Sequence, residues 1–135
     1  MRGIADTGFV VAFLNGRDRH HAWADEIGMR TTEPLLTCEA VLAETIFQVG
    51  SATEVLGLVQ FGFLKLAFDL RGNLNEVLDL AKRYRDRNPD LADLCLIRMS
   101  ELYQSLPVFT VDEKDFRVYR RNGRDVIPIV YPPRT

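Results

Sequence analysis

The chain has 135 residues, of which 47% are hydrophobic and 27% are charged, and its formal net charge is −2. This length suffices to bury one core but not two, so residues 1–135 are predicted to form a single domain. The charge excludes an overall basic field, so a polyanion would have to be bound locally. Cys38 and Cys95 match no zinc-ligand spacing. With no segment patterned as a membrane span or a secretion signal, we expect a cytoplasmic protein that makes no membrane contact.

Hydrophobic periodicity predicts short strands that alternate with helices along the chain. The strand-like runs are residues 3–6, 33–37, 63–69, 107–111 and 126–131. Helical patterns begin at Thr7, near Asp18, after Thr37, after Ser51, at Asn73 and after Asp90. Strands of this length separated by helices are typical of parallel sheets that are covered on both faces. We therefore predict a three-layer α/β/α sandwich around a central, mostly parallel sheet.

Several polar residues and one proline predict where these elements begin or end. The N-caps predicted are Asp18, Thr37 and Asp90, whose side chains can accept from the first turn of a helix. Ser51 followed by Glu54 is typical of a capping box. Pro128 has no backbone N–H to donate, so it predicts that the last strand lies at the edge of the sheet.

Two carboxylates directly follow strand-like runs. Asp6 comes after the first run and Asp112 after the fourth. In a parallel sheet the functional crevice lies beyond the carboxyl ends of the strands, where strand order reverses. If these two strands are neighbours, Asp6 and Asp112 converge there, whereas each alone could simply cap the next turn.

Asp93 and Glu44 lie on helices that could border the same crevice. Residues 91–102 are apolar almost all round, which predicts a buried helix on which Asp93 needs a partner, a cation being one candidate. A helical projection places Glu44 with Gln48, opposite the apolar face, as expected for a surface glutamate. Glu44 nevertheless follows the second strand by two helical turns, so both a surface and a site position stay open.

Three aspartates and one glutamate near one sheet edge offer hard oxygen ligands without thiolates or a histidine set. That chemistry favours Mg²⁺ or Mn²⁺ over zinc. Carboxylates gathered without a metal raise one another's pKa by repulsion, whereas a bound divalent ion would turn the same charge into affinity.

Four segments in order resemble PIN-domain ribonucleases, particularly the VapC-like toxins of toxin–antitoxin pairs. They are IADTGFVVAFLNGRDRHHAWA, LTCEAVLAET, PDLADLCLIRMSE and VFTVDEKDF. The resemblance covers nearly the whole chain and implies the same α/β/α fold. It also implies that Asp6, Glu44, Asp93 and Asp112 bind one or two Mg²⁺ or Mn²⁺ ions. The implied reaction is hydrolysis of RNA to 5′-phosphate and 3′-hydroxyl ends.

The resemblance leaves some assignments open. Asp115 is a rival or helper to Asp112, and Asp90 is a weaker rival to Asp93 because capping already accounts for it. Thr7 and Thr110 carry hydroxyls that could support the ligands without binding the metal themselves. The resemblance further implies a cognate antitoxin partner and a homodimer.

An acidic protein could still hold RNA through its last residues. If a metal neutralised the four carboxylates, the net charge of the chain would change from −2 to +2. The candidates for binding phosphate are Lys114, Arg117, Arg120, Arg121 and Arg124. His20, His21 and Trp23 could stack on bases, although a helix that packs its aromatic ring inward is the favoured alternative.

The competing hypotheses are non-catalytic. A receiver-like signalling domain also has an acidic pocket at the edge of a parallel sheet, but it needs a lysine after a late strand, and Lys65 lies within one. A PIN-like fold that uses its acidic edge only to contact partners is the other alternative.

Overall fold

Five strands form one parallel sheet in the order β3-β2-β1-β4-β7 in the computed structural model, which describes residues 1–134. The strands are β1 (Ile4–Ala5), β2 (Leu35–Thr37), β3 (Leu64–Leu66), β4 (Val108–Phe109), β5 (Arg120–Arg121), β6 (Asp125–Val126) and β7 (Ile129–Val130). β5 and β6 pair antiparallel and form a separate hairpin. The predicted parallel sheet is confirmed.

Seven α-helices surround the sheet. They are α1 (Thr7–Leu14), α2 (His21–Arg30), α3 (Glu39–Val49), α4 (Ala52–Gln60), α5 (Leu74–Arg83), α6 (Leu91–Leu102) and α7 (Glu113–Val118), with 3₁₀ turns at Arg71–Asn73 and Arg85–Arg87. The chain steps outward from β1 to β2 and β3 and then crosses back to β4, on the other side of β1. Because such crossovers are right-handed, the outward and return helices cover opposite faces, which confirms the predicted α/β/α layers.

The core runs through the central strands and through α6. Both residues of β1 and both residues of β4 are buried. On α6 the buried residues are Ala92, Leu94, Cys95, Leu96, Ile97, Met99 and Ser100. The prediction of a helix that is apolar on most sides is confirmed, because α6 packs under the sheet and beneath the β5–β6 hairpin.

Two capping predictions are wrong. The Asp18 carboxylate accepts from the backbone N–H of His20 at 2.8 Å, which closes a turn, and α2 begins only at His21. The Thr37 hydroxyl donates to the carbonyl of Ala5 at 3.0 Å across the β1–β2 pair, so it cannot cap α3. In both cases the polar side chain that the sequence predicts as the cap forms its hydrogen bond with a group outside the helix.

The other capping predictions are confirmed. Ser51 accepts from the backbone N–H of Glu54 at 3.2 Å, and Asp90 accepts from that of Asp93 at 2.8 Å. Gly50 ends α3 in the left-handed conformation, with φ of 80°, which glycine adopts without strain.

The last predicted strand is two strands. Val126 belongs to β6 in the hairpin, whereas Ile129 and Val130 form β7 beside β4. Pro128 lies between them and its carbonyl accepts from the backbone N–H of Val108 at 2.9 Å. The predicted edge position is confirmed for β7, and the proline separates the two pairings because it has no N–H to continue a ladder. Within residues 1–134 no helix has the length and apolar character needed to cross a membrane.

Candidate active site

The order of the sheet reverses between β1 and β4, so the crevice predicted by the fold opens where these two strands end. Asp6 follows β1 and Asp112 comes three residues after β4. Gly8, in the first turn of α1, packs against Val111: a Cβ built on Gly8 would lie 2.3 Å from a Val111 methyl carbon. The missing side chain therefore lets α1 approach the segment that carries Asp112.

Asp6 is fixed at the bottom of this crevice by two hydrogen bonds. Its side chain is 6% exposed. One carboxylate oxygen accepts from the backbone N–H of Thr7 at 2.6 Å, and the other accepts from the Thr110 hydroxyl at 2.6 Å. The Thr110 hydroxyl in turn accepts from the backbone N–H of Asp112 at 2.9 Å. Thr110 thus joins the two aspartates that the sheet topology brings together.

Glu44 reaches the crevice from α3. The Thr7 hydroxyl donates to a Glu44 carboxylate oxygen at 3.1 Å, so Thr7 contacts Asp6 through its backbone and Glu44 through its side chain. Glu44 is half-buried, whereas Gln48, one turn later, is exposed. The face of α3 that the helical projection assigned to solvent therefore turns its first half toward the acidic crevice.

Asp93 enters from the first turn of α6 and is half-buried. The buried Tyr119, which follows α7, donates its hydroxyl to a carboxylate oxygen of Asp93 at 3.4 Å. Asp90 caps the same helix, as predicted, and its side chain also shares a hydrogen bond with the Glu44 carboxyl. Asp90 therefore belongs to the crevice as well as to the helix cap.

The carboxylates of the crevice hold their protons more tightly than isolated acids. Burial raises the pKa of Asp6 to about 6, against the opposing effect of the Thr110 and Thr7 hydrogen bonds. Burial, and then the charges of Asp90 and Asp6, raise the pKa of Asp93 to about 7. The shared hydrogen bond with Asp90, followed by burial, raises the pKa of Glu44 to about 7. Burial also raises the pKa of Asp112.

Asp115 differs from these four acids because a cation neutralises it. An Arg87 guanidinium nitrogen lies 2.6 Å from an Asp115 carboxylate oxygen, and this hydrogen bond holds the pKa of Asp115 below its usual value. In the part of the chain that the structure describes, no salt bridge involves Asp6, Glu44, Asp93 or Asp112. The Asp112 carboxylate instead accepts from the backbone N–H of Asp115 at 3.3 Å.

The donor set fits a hard divalent cation by its chemistry. Carboxylate oxygens that repel one another and form no salt bridge are the ligands that Mg²⁺ and Mn²⁺ prefer. Among residues 1–134, however, no three side chains of the His, Cys, Asp and Glu types are arranged closely enough to form a complete ligand group. The candidates therefore line one crevice without converging on a single point.

The candidate phosphate-binding cations occupy different environments. Arg120 donates to the carbonyls of residues 117–119, and Arg121 donates to the carbonyls of Ser100 and Gln104. Arg124 lies on the hairpin and is exposed. Lys114 and Arg117 border a cavity that Asp112 also lines. Of the five, Lys114 and Arg117 thus lie beside the acidic crevice.

Two residues of the crevice were missed in the sequence. Tyr119 contacts Asp93 and Arg87 pairs with Asp115. Each is separated by more than 25 positions from its partner, and no local pattern links them. Arg87 lies in an RYRDR run, and such positive charge is typical of a helix end without indicating a distant partner.

A parallel sheet in this order, flanked by helices and with acids at its switch point, matches a PIN-like α/β fold. The chain belongs to the PIN domain family, whose sequence profile matches residues 4–122. This match confirms the resemblance found in the sequence. Members of this family are generally metal-dependent.

Among solved structures, the chain is similar in fold to Mycobacterium tuberculosis VapC20, described as a Sarcin-Ricin loop cleaving toxin. The TM-score is 0.69 with 16% sequence identity, over 84% of this chain and 92% of that one. At this identity the likeness is one of fold. No curated protein matches the sequence significantly.

Proposed function

We propose that this protein is a metal-dependent endoribonuclease, the toxin component of a toxin–antitoxin pair. The observation that carries the proposal is the crevice at the β1–β4 switch point, which is lined by Asp6, Glu44, Asp93 and Asp112. None of these four acids forms a salt bridge within residues 1–134. Membership of the PIN domain family supports the same activity.

In this proposal Asp6, Glu44, Asp93 and Asp112 hold one or two Mg²⁺ or Mn²⁺ ions. A bound ion of this kind would supply a nucleophilic water at neutral pH and stabilise charge on the phosphate. Thr7 and Thr110 hold the Asp6 carboxylate in a single orientation through their hydrogen bonds. Lys114 and Arg117, beside Asp112, position the phosphodiester. Water attacks phosphorus and the P–O3′ bond breaks, leaving 5′-phosphate and 3′-hydroxyl ends.

Two distal features belong to the same proposal. Phe47 on α3 and Phe61 after α4 are 89% and 88% exposed, which supports a protein interface, either with the cognate antitoxin or with a second copy. Both cysteines are free and buried, which supports a reducing cytoplasmic setting. The continuous core supports residues 1–135 as one domain.

The receiver-like alternative has less support. Lys65 lies on β3, at the edge of the sheet and two strands away from β1, so it is remote from Asp6. A non-catalytic PIN-like protein remains the second candidate, favoured by the incomplete ligand group of the crevice.

The deciding experiment is RNA cleavage with and without Mg²⁺ or Mn²⁺. Because VapC20 is described as cleaving the Sarcin-Ricin loop, a ribosomal RNA hairpin with an unpaired loop is the first substrate to test. We expect metal-dependent cleavage by the wild type and a loss of at least about 100-fold in Asp6→Asn and Asp93→Asn, since changes merely adjacent to a metal already cost 10–100-fold.

Asp79→Asn, an exposed acid on α5, is the matched control and should keep full activity. Circular dichroism establishes that all three variants fold. Full activity in both crevice variants contradicts the proposal, and the lack of Mn²⁺ binding in calorimetry would favour the non-catalytic candidate.

A further inference from the structure

A cavity of about 680 Å³ lies beside the acidic crevice, between the start of α2 and the segment that follows β7. The charged and aromatic side chains that line it are Arg19, His20, Trp23, Glu113, Tyr131 and Arg134. The volume falls within the range of small-molecule sites, about 300–1,000 Å³. None of the proposed metal ligands lines this cavity, so it is distinct from the crevice itself.

The cavity is continuous with the crevice. A second cavity, of about 390 Å³, shares Val111, Glu113 and Arg134 with the first. It is also lined by Asp112, one of the proposed metal ligands, and by Lys114. A chain bound across Asp112 would therefore reach residues that also line the first cavity.

Glu113 organises the cations between the two cavities. One of its carboxylate oxygens accepts from Arg117 at 2.7 Å and from Arg134 at 2.9 Å. Arg19 and Lys114 add two further exposed cations. Four cations thus line the two cavities around one acid, an excess of positive charge that favours an anionic ligand.

Two aromatic rings line the cavity and are held in place by the fold. Trp23 packs edge-on against the buried Phe9, with 5.6 Å between ring centroids. The Arg117 guanidinium lies 5.4 Å from the centre of the Tyr131 ring and donates to its hydroxyl at 3.0 Å. Rings that are fixed before binding offer a stacking surface for a flat ligand at low entropic cost.

We propose that this cavity binds a nucleotide adjacent to the scissile phosphate, with its base against Trp23 or Tyr131 and its phosphate held by Arg19 and Arg134. A base can enter only after leaving its helical stack, so the substrate class is RNA with an unpaired segment at the cleavage site. This inference rests on the proposed ribonuclease function. The adjoining cations favour RNA over a peptide as the occupant.

The test measures RNA binding in the Asp93→Asn background, where cleavage is blocked. Fluorescence anisotropy compares a labelled hairpin with an unpaired loop and a fully paired duplex. Adding Tyr131→Ala should weaken binding of the loop RNA about 30-fold, the middle of the range for loss of one stacked base. Adding Arg134→Ala should also weaken it, because a phosphate contact is lost. Tyr131→Phe keeps the ring and should retain most of the affinity.

Arg2→Ala is the control, since Arg2 precedes β1 and therefore lies at the amino end of the strand, opposite to the crevice. In active protein, Tyr131→Ala should raise KM for the loop RNA, whereas Arg2→Ala should leave that KM unchanged. Thermal unfolding checks that each variant keeps its fold.

The outcomes separate the two proposals. Wild-type affinity in Tyr131→Ala and Arg134→Ala, or an equal loss for loop and duplex RNA, overturns the nucleotide site even if the wild type cleaves RNA. Weaker loop binding by these variants supports the site even if no metal-dependent cleavage is found, in which case the ribonuclease proposal alone fails. Loss of affinity for an antitoxin peptide with unchanged RNA binding would assign the cavity to a protein partner and overturn the site.

Discussion

The acids of the β1–β4 crevice and those of the C-terminal segment, residues 113–134, lie close together but differ in whether a cation is paired with them. Glu113 and Asp115 each pair with arginine, and their pKa values are held below the usual range. Asp6 and Asp93 have no cationic partner among residues 1–134, and their pKa values rise to about 6 and about 7. The fold itself therefore distinguishes acids that organise structure from acids that are left to bind something positive.

This difference explains how a protein with a net charge of −2 could bind RNA. Arg117 and Arg134 both form salt bridges with Glu113, and all three residues line the cavity beside Asp112, where a phosphodiester would lie. The negative charge is concentrated where a divalent ion would cancel it. Each of the following predictions tests one side of this comparison.

Asp112→Asn should have the largest effect, because it removes a proposed ligand from the crevice. We expect RNA cleavage to fall by at least about 100-fold, whereas Asp115→Asn should cost about 10-fold, the lower end of the range for a change one step removed from a metal. Single-turnover cleavage rates at saturating Mn²⁺ measure both. If Asp115→Asn is the more damaging substitution, the fourth acid is Asp115 and the comparison fails.

Asp6→Asn should stabilise the metal-free protein at high pH. The pKa of Asp6 is raised from 3.8 to about 6 in the folded state, so folding favours its protonated form. Its contribution to stability is complete below pH 3.8 and is lost as the pH rises through 6. The variant should match the wild type near pH 4 and exceed it by up to about 3 kcal/mol at pH 8, at 1.36 kcal/mol per pKa unit.

Urea denaturation in chelator at several pH values measures this difference. Adding Mn²⁺ should reverse the order at pH 8, because only the wild type keeps the full ligand set. A free energy of unfolding for the wild type that rises steadily from pH 4 to pH 8 without metal would show that the crevice acids are not destabilised by their charge.

Much of this fold could be predicted from the chain because its signals are local. The strand before Asp6, the buried helix that carries Asp93 and the cap at Asp90 all follow from periodicity and residue type, and the structure contains each of them. Asp18 and Thr37 were mispredicted because each bonds to a group outside its helix, and Ala5, the partner of Thr37, is 32 residues away.

The crevice itself shows the same limit. Glu44 looked like a surface residue since periodicity reports only which face avoids the core, not what lies beyond that face. The contact of Thr7 with Glu44 spans 37 residues, and that of Thr110 with Asp6 spans 104. Such contacts depend on strand order, which a single sequence does not specify.

Thr110→Val should reduce cleavage without removing a proposed ligand. The hydroxyl joins Asp6 to the backbone N–H of Asp112, and valine has the same shape but can neither donate nor accept. We expect a loss of about 10–100-fold in cleavage rate, the range for groups that orient metal ligands. Thr110→Ser restores the hydroxyl and should recover most of the activity. If serine and valine behave alike, the effect is one of packing and the hydrogen bond is not what orients Asp6.

Arg87→Ala should have the smallest effect on folding. Its guanidinium and the Asp115 carboxylate are both more than a third exposed, and such pairs contribute about 0–1 kcal/mol to stability. A double-mutant cycle with Asp115→Asn, measured by urea denaturation, should give a coupling free energy within that range that shrinks in 1 M salt. The cleavage rate should also fall. Without Arg87, the negative charge of Asp115 is no longer balanced, so it would raise the pKa of the neighbouring Asp112 further and oppose its ionisation. A cleavage profile shifted to higher pH in Arg87→Ala, but not in Arg87→Lys, would locate the influence of Arg87 in its charge. The paired acids of the C-terminal segment would then tune the unpaired acids of the crevice.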